Sequence, residues 1–355
     1  MEQTPLFQLN LMLWLVWPVP PAGIMRPIFR EDGFDLRGIG PAFEMPLEVR
    51  ARAGVAGIPF KERPGPDLLL EHHQRRTLLP IECKISSFGP DAPPGSKKHQ
   101  SRQAAALLST TGLYLADYFG LPAPADWRAC LLYAVGGSQE AATQTTLEDL
   151  SARLQTAHID PTLAGALGIY IRDDGIYLKP APAASVPVTA LQTPPSAGVR
   201  VVELEDGEDP RVLYLLPWDP NIGPADEYER RALEERVRSA LTSLIGSRLD
   251  APIFDVSLDE VLQAAVEVWE MWRDRQAAAG FRNAVRAYVR RILTRLRKME
   301  VDIQAHQDTF TFTGVTPQLA RQVRGYLTSV AFRRGEIDLW SEAVQLDFSS
   351  LAEGW

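Results

Sequence analysis

The apolar positions of this chain fall in short runs broken by polar turns. Asp67-Leu68-Leu69-Leu70 and Leu78-Leu79-Pro80-Ile81-Glu82-Cys83-Lys84-Ile85 lie on either side of the polar stretch His73-Gln74-Arg75-Arg76. Two apolar runs around a short polar break predict a β-hairpin. With its centre between Gln74 and Arg75, antiparallel pairing sets Asp67 opposite Glu82. Side chains alternate along a strand, so Glu82 and Lys84 share a face, while Cys83 points to the other side as buried packing. Two carboxylates and an ammonium then converge at one end of a sheet.

The same patterns organise the rest of the chain. Ser96 to Leu108 predicts a helix with Gln100, Gln103, Ala104 and Leu107 on one face. Trp127 to Val135 predicts a strand stopped by Gly136-Gly137, and Thr146 to Thr156 a helix with a Leu147, Leu150, Leu154 stripe. Gly168 to Leu178 predicts a hairpin turning at Asp174-Gly175. The stretch Pro180 to Gly198, rich in Pro, Ala, Ser and Thr, reads as a boundary between domains at 1–180 and 199–355. Beyond it, Val199–Leu204 and Val212–Leu216 predict a second hairpin, followed by a helix from Ala225 to Ile245. Ser257-Leu258-Asp259-Glu260 reads as a capping box opening a helix that carries Val261, Leu262, Ala265, Val268, Trp269 and Trp272. A basic helix follows Gly280, with Val285, Tyr288, Val289, Ile292 and Leu296 as its inner stripe, and Thr316-Pro317 opens a last helix. The expected class is α/β: a mixed sheet flanked by helices, then a hairpin and a mostly helical region.

The stretch Leu6 to Trp17 is strongly apolar and too short to span a bilayer as a helix. Pro18, Pro20 and Pro21 stop it, and the residues before it hold no Lys or Arg, so the expectation is a buried strand rather than a secretory signal. The location expected is cytoplasmic, with no membrane partner. Two cysteines, Cys83 and Cys130, are too few for a disulfide framework, and no Cys/His cluster suggests zinc. The chain has no Walker A motif, no GxGxxG and no internal repeat.

Charge alters this picture in one respect. A net charge of −8 opposes indiscriminate nucleic-acid binding, which Lys and Arg contacts to phosphate drive. Yet Phe281 to Lys298 carries seven basic residues and no acid. Arg282, Arg286 and Arg290, spaced four apart, would form an exposed stripe for phosphate or an acidic partner. His72 and His73 lie at the hairpin turn, the wrong end for the carboxylates.

Carboxylates facing each other across strands repel by up to ~1 kcal/mol, so either one pKa rises or a cation sits between them. Hard oxygen ligands on a hairpin suit Mg²⁺, which often takes one or two carboxylates plus water and substrate phosphate. A lysine beside such an ion can orient a water. That combination points to metal-assisted phosphodiester hydrolysis.

On these residues the chain resembles the PD-(D/E)XK, or restriction-endonuclease-like, nuclease superfamily. Pro66-Asp67 matches the first half-motif and Glu82-Cys83-Lys84 the second, within roughly residues 38–138. The resemblance implies a helix, hairpin, helix, strand core. It implies Mg²⁺, with Mn²⁺ as a substitute, held by Asp67, Glu82 and the Cys83 carbonyl, and a water oriented by Lys84. An acidic residue on the first helix would be Glu44 or Glu48, one helical turn apart if the helix starts at Pro41, with Pro46 as the alternative start, and a supporting glutamine would be Gln103, with Gln100 second. Lys97, Lys98 and Arg102 would approach substrate phosphates. The activity implied is a nuclease acting on DNA, in restriction, anti-phage defence or repair. The second half would bind nucleic acid or a motor ATPase or helicase partner, since the chain has no nucleotide-binding loop of its own. The competing reading is a non-catalytic nucleic-acid-binding or assembly subunit on the same fold.

Overall fold

The computed structural model describes residues 3–19, 25–91, 99–204, 213–329 and 332. It divides into two compact units, Met1–Tyr214 with Met271–Asp274, and Leu215–Glu270 with Arg275–Trp355.

The first unit begins with a helix where a strand was expected: Pro5–Trp14 is α1. Pro5 sits in its first turn and the Thr4 side chain accepts from the Phe7 amide, so the start is well capped. Every residue from Leu6 to Trp14 is buried, which removes the amphipathic period by which a helix is usually recognised. A short helix α2 (Ile28–Glu31) leads into β1 (Asp35–Ile39), α3 (Leu47–Val55) and the hairpin of β2 (Leu68–His72) and β3 (Thr77–Lys84). Helices α4 (Gln100–Leu108) and α5 (Gly112–Tyr118) carry the chain to β4 (Arg128–Gly136), and α6 (Glu140–Thr156) carries it to β5 (Leu163–Arg172). Then come β6 (Gly175–Pro180), a single-turn α7 (Thr189–Gln192) and β7 (Val199–Glu203).

These seven strands form one mixed sheet in chain order. The helical crossovers make β3–β4 and β4–β5 parallel, while the remaining neighbours are antiparallel. Leu69, Leu78, Leu131, Tyr133 and Val135 point from the sheet into a core closed by Ala104, Leu107, Leu147, Leu150 and Leu154 of α4 and α6. Gly112 lets α5 start hard against β4: a Cβ there would lie 2.3 Å from the Trp127 carbonyl. On β3, α1 also packs.

The expected hairpin at Val199–Leu216 is not what forms. β7 pairs antiparallel with β6, as the last strand of the first unit. Residues 213–216 are not in a strand, and Val212 lies outside the described residues. Nor does the proline-rich stretch separate domains. Ala181 and Ser185 bond by their amides to Ala166 and Ala164 of β5, and Val188 and Leu191 are buried, so this stretch is part of the first unit's packing.

In the second unit, α8 (Glu227–Gly246) starts at an Asp226/Glu229 capping box. β8 (Phe254–Ser257) runs into α9 (Leu258–Ala265), and the Ser257/Glu260 box read from the sequence is present. α9 stops earlier than expected, before Val268, Trp269 and Trp272, because Val266 is extended. The long α10 (Arg275–Arg297) is followed by β9 (Asp302–His306), β10 (Thr309–Thr313) and α11 (Pro317–Leu327), capped by Thr316. β8, β10 and β9 form a small antiparallel sheet in that order, which the mostly helical expectation missed. Its signal was the alternation Thr309-Phe310-Thr311-Phe312-Thr313, whose phenylalanines are buried and whose threonines are half-buried. Among the described residues, no helix is long and apolar enough to cross a membrane.

Candidate active site

The hairpin register is the one read from the sequence. Leu68 pairs with Ile81 and His72 with Thr77, so Asp67, one residue before β2, comes opposite Glu82. Asp67 is held from both sides: its carbonyl accepts from the Gly40 amide, and its Oδ2 accepts from the Cys83 amide at 2.6 Å. The Lys84 ammonium lies 2.5 Å from Glu82 Oε1 and 3.9 Å from Asp67 Oδ2, and donates to the Cys83 carbonyl at 3.1 Å. Four groups from the two half-motifs therefore meet on one face, while the Cys83 thiol is buried on the other.

From α4, Gln103 completes the cluster. Its Nε2 donates to Glu82 Oε1 and to the Gly65 carbonyl, both at 2.8 Å. Gly65 allows this because the chain here presses on its neighbour: a Cβ would lie 3.3 Å from the Pro41 carbonyl and from Ala42 Cα. With both amide hydrogens directed at acceptors, Gln103 Oε1 faces a donor, the Lys61 ammonium.

Burial dominates the electrostatics. The Glu82 side chain is 2% exposed, against 20% for Lys84 and 37% for Asp67. Burial pushes the Glu82 carboxyl up to about 7, the Asp67 charge pushes the same way, and Lys84 and Gln103 oppose both. For Lys84, burial works against the charge, but Glu82 and Asp67 outweigh it and hold the ammonium above its ordinary value. Burial also drives the Cys83 thiol well up, as it does the phenol of Tyr133, which pairs with Glu82 across β3 and β4.

Glu82 Oε2 and Tyr133 Oη are buried with no hydrogen-bond partner. An orphaned carboxylate oxygen in an apolar setting is costly, and a bound cation would satisfy it. The Lys84 ammonium already draws Glu82 Oε1, Asp67 Oδ2 and the Cys83 carbonyl around one positive charge. That hard-oxygen set fits Mg²⁺ or Mn²⁺. It contains only two carboxylates, and among the described residues no group of three or more His, Cys, Asp or Glu side chains is placed to hold a metal.

Several expected contributors stand elsewhere. Glu44 precedes α3 instead of lying on it, is exposed, and pairs with Arg63 at 3.6 Å. Pro46 is the N-cap, so the helix starts too late to put Glu44 and Glu48 one turn apart. Glu48 is exposed in the first turn. Among the described residues neither makes a hydrogen bond or ion pair with Asp67, Glu82 or Lys84. Gln100 does not reach Glu82 as Gln103 does, and its Oε1 is buried without a partner. Lys97 and Lys98 lie outside the described residues. Arg102, half-buried, donates to the Phe60 carbonyl at 3.4 Å.

The basic stripe of α10 also needs correcting. Its apolar side is buried as expected, but Arg282 and Arg286 are not an open surface. Both clasp Asp308, at 2.8 Å and 2.7 Å, and Arg282 also pairs with Asp259. Only Arg290 of the three is exposed. Asp308 arrives from the β9–β10 turn, beyond a whole strand, which is why helical spacing could not reveal the clasp.

Lys61, Gly65 and Tyr133 were not foreseen at the site. Pro64-Gly65-Pro66 is a loop signal ahead of β2; Lys61 carried no local signal. Compared with protein-family models, curated proteins and solved structures, the chain has no match in any of the three.

Proposed function

We propose that this chain is a divalent-metal-dependent nuclease that hydrolyses phosphodiester bonds in DNA, with a first unit of restriction-endonuclease-like architecture. The observation that carries the reading is the convergence of Asp67, Glu82 and Lys84 on one face, with Glu82 Oε2 buried and unsatisfied. Asp67, Glu82 and the Cys83 carbonyl would hold Mg²⁺ or Mn²⁺. When bound, such an ion supplies Lewis-acid stabilisation of charge on the phosphate oxygens.

The remaining work belongs to side chains. Lys84, once the carboxylates are shared with a metal, directs its N–H donors at the attacking water and at the charge that grows on phosphorus-bound oxygen. Glu82 would serve as a ligand, and a bound cation would hold its carboxyl in the charged form against the effect of burial. Gln103 orients that carboxylate through Oε1 and leaves Oε2 open. Burial against Tyr133 and the α4–α6 core keeps bulk water from the inner side of the site.

The test is cleavage of plasmid, linear duplex, single-stranded DNA and RNA by the full chain in Mg²⁺, Mn²⁺ or EDTA. DNA should be cut with either metal and spared in EDTA. Binding without cleavage in every metal condition would favour the non-catalytic nucleic-acid-binding subunit instead.

A further inference from the structure

Around the carboxylate cluster, the cations are not equally committed. Lys84 is engaged by Glu82 and the Cys83 carbonyl. Arg63 pairs with Glu44 and Arg50 with Glu62, each at 3.6 Å. Lys61 differs. Among the described residues it has no carboxylate partner, and its ammonium makes one hydrogen bond, to the neutral Gln103 Oε1. It is nevertheless held at the site, because its backbone amide donates to the Arg102 carbonyl at 3.1 Å and fixes its loop on the first turn of α4. The residue is exposed. An ammonium has three donors, so two remain for solvent or a ligand.

We infer that Lys61 is a substrate-positioning residue that binds a backbone phosphate of the nucleic acid next to the bond being cut. This rests on the nuclease reading above. The site as built carries two carboxylates, which repel a polyanion, and the nearby Lys84 charge is already shared between them. A cation placed one side chain away and unspent on any acid offsets that repulsion at the rim. Its bond to Gln103 ties phosphate capture to the orientation of Glu82: Lys61 holds Gln103 Oε1, which sends the amide hydrogens to Glu82 and Gly65. Two roles can then be separated, since phosphate capture acts on substrate affinity and the Gln103 bond on the chemical step.

The experiment measures steady-state cleavage of a labelled DNA duplex in Mg²⁺ by wild type, Lys61→Ala and Lys61→Arg, at several salt concentrations. Circular dichroism checks that each variant folds. Lys61→Ala should raise KM roughly 10-fold, in keeping with loss of one charged hydrogen bond, with a smaller change in kcat. Its salt dependence should flatten by about one phosphate contact, and Lys61→Arg should restore most of the affinity. Unchanged KM and salt slope in an active Lys61→Ala enzyme would overturn the inference and leave the nuclease reading standing. A fall in kcat alone would overturn it too, reducing Lys61 to a support for Gln103. A wild-type protein that cuts no nucleic acid would overturn the nuclease reading itself.

Discussion

At the scale of single residues, the site depends on who partners whom. Glu82 carries conflicting demands: burial favours its neutral form, while Lys84 and Gln103 hold the charged one. Removing Lys84 or Gln103 leaves Glu82 buried and mismatched, so effects should exceed those of a surface pair. On the proposed nuclease reading, Asp67→Ala and Glu82→Ala should each abolish most cleavage by removing an oxygen ligand. Lys84→Ala should lower kcat by about 100-fold or more, as expected for loss of a group acting on the attacking water. Single-turnover cleavage measures this, and circular dichroism separates it from unfolding. A Lys84→Ala protein as active as wild type would place the chemistry elsewhere.

Among the elements, α10 changes meaning most. Its arginines looked like one stripe, but Arg282 and Arg286 belong to an ion-pair cluster with Asp308 and Asp259. Arg286 and Arg282 pull the Asp308 carboxyl down to about 2, against the opposing effect of burial. A folded pKa below the unfolded one contributes stability above the unfolded value, and this is lost as pH falls through the folded value. Asp308→Asn should therefore cost on the order of 1 kcal/mol near neutral pH, after allowance for solvent screening. Thermal melts should show its difference from wild type shrinking as pH drops from 3.8 toward about 2. Arg282→Gln and Arg286→Gln should lower the melting temperature, whereas Arg290→Gln, at the exposed position, should leave it unchanged. Equal melting shifts for all three would refute the clasp.

For the whole molecule, the division into units lies after Tyr214, not in the proline-rich stretch. Cutting after Pro180 would remove β7 and bare the edge of β6, together with the apolar surface now covered by Val199, Val201 and Val202. An unpaired apolar edge favours association. A 1–180 fragment should aggregate on size-exclusion chromatography, while a 1–214 fragment should be the more soluble of the two. Comparable monomer yields from both would show that β7 is dispensable.

Local and periodic features were legible along the chain. A short polar turn sets a hairpin register by symmetry, so the pattern alone puts Asp67, Glu82 and Lys84 on one face. Caps such as Ser257 with Glu260 and Thr316 before Pro317 act within one turn, and they too were legible. Tertiary structure decided the rest. An apolar run buried on all sides has no period, so only packing shows that Pro5–Trp14 is a helix. β7 joins β6 instead of making its own hairpin, and Asp308 reaches two arginines across a turn. Lys61 meets Gln103 although forty-two positions separate them. Contacts of that range depend on how distant surfaces fit together, and no window of sequence spans both partners.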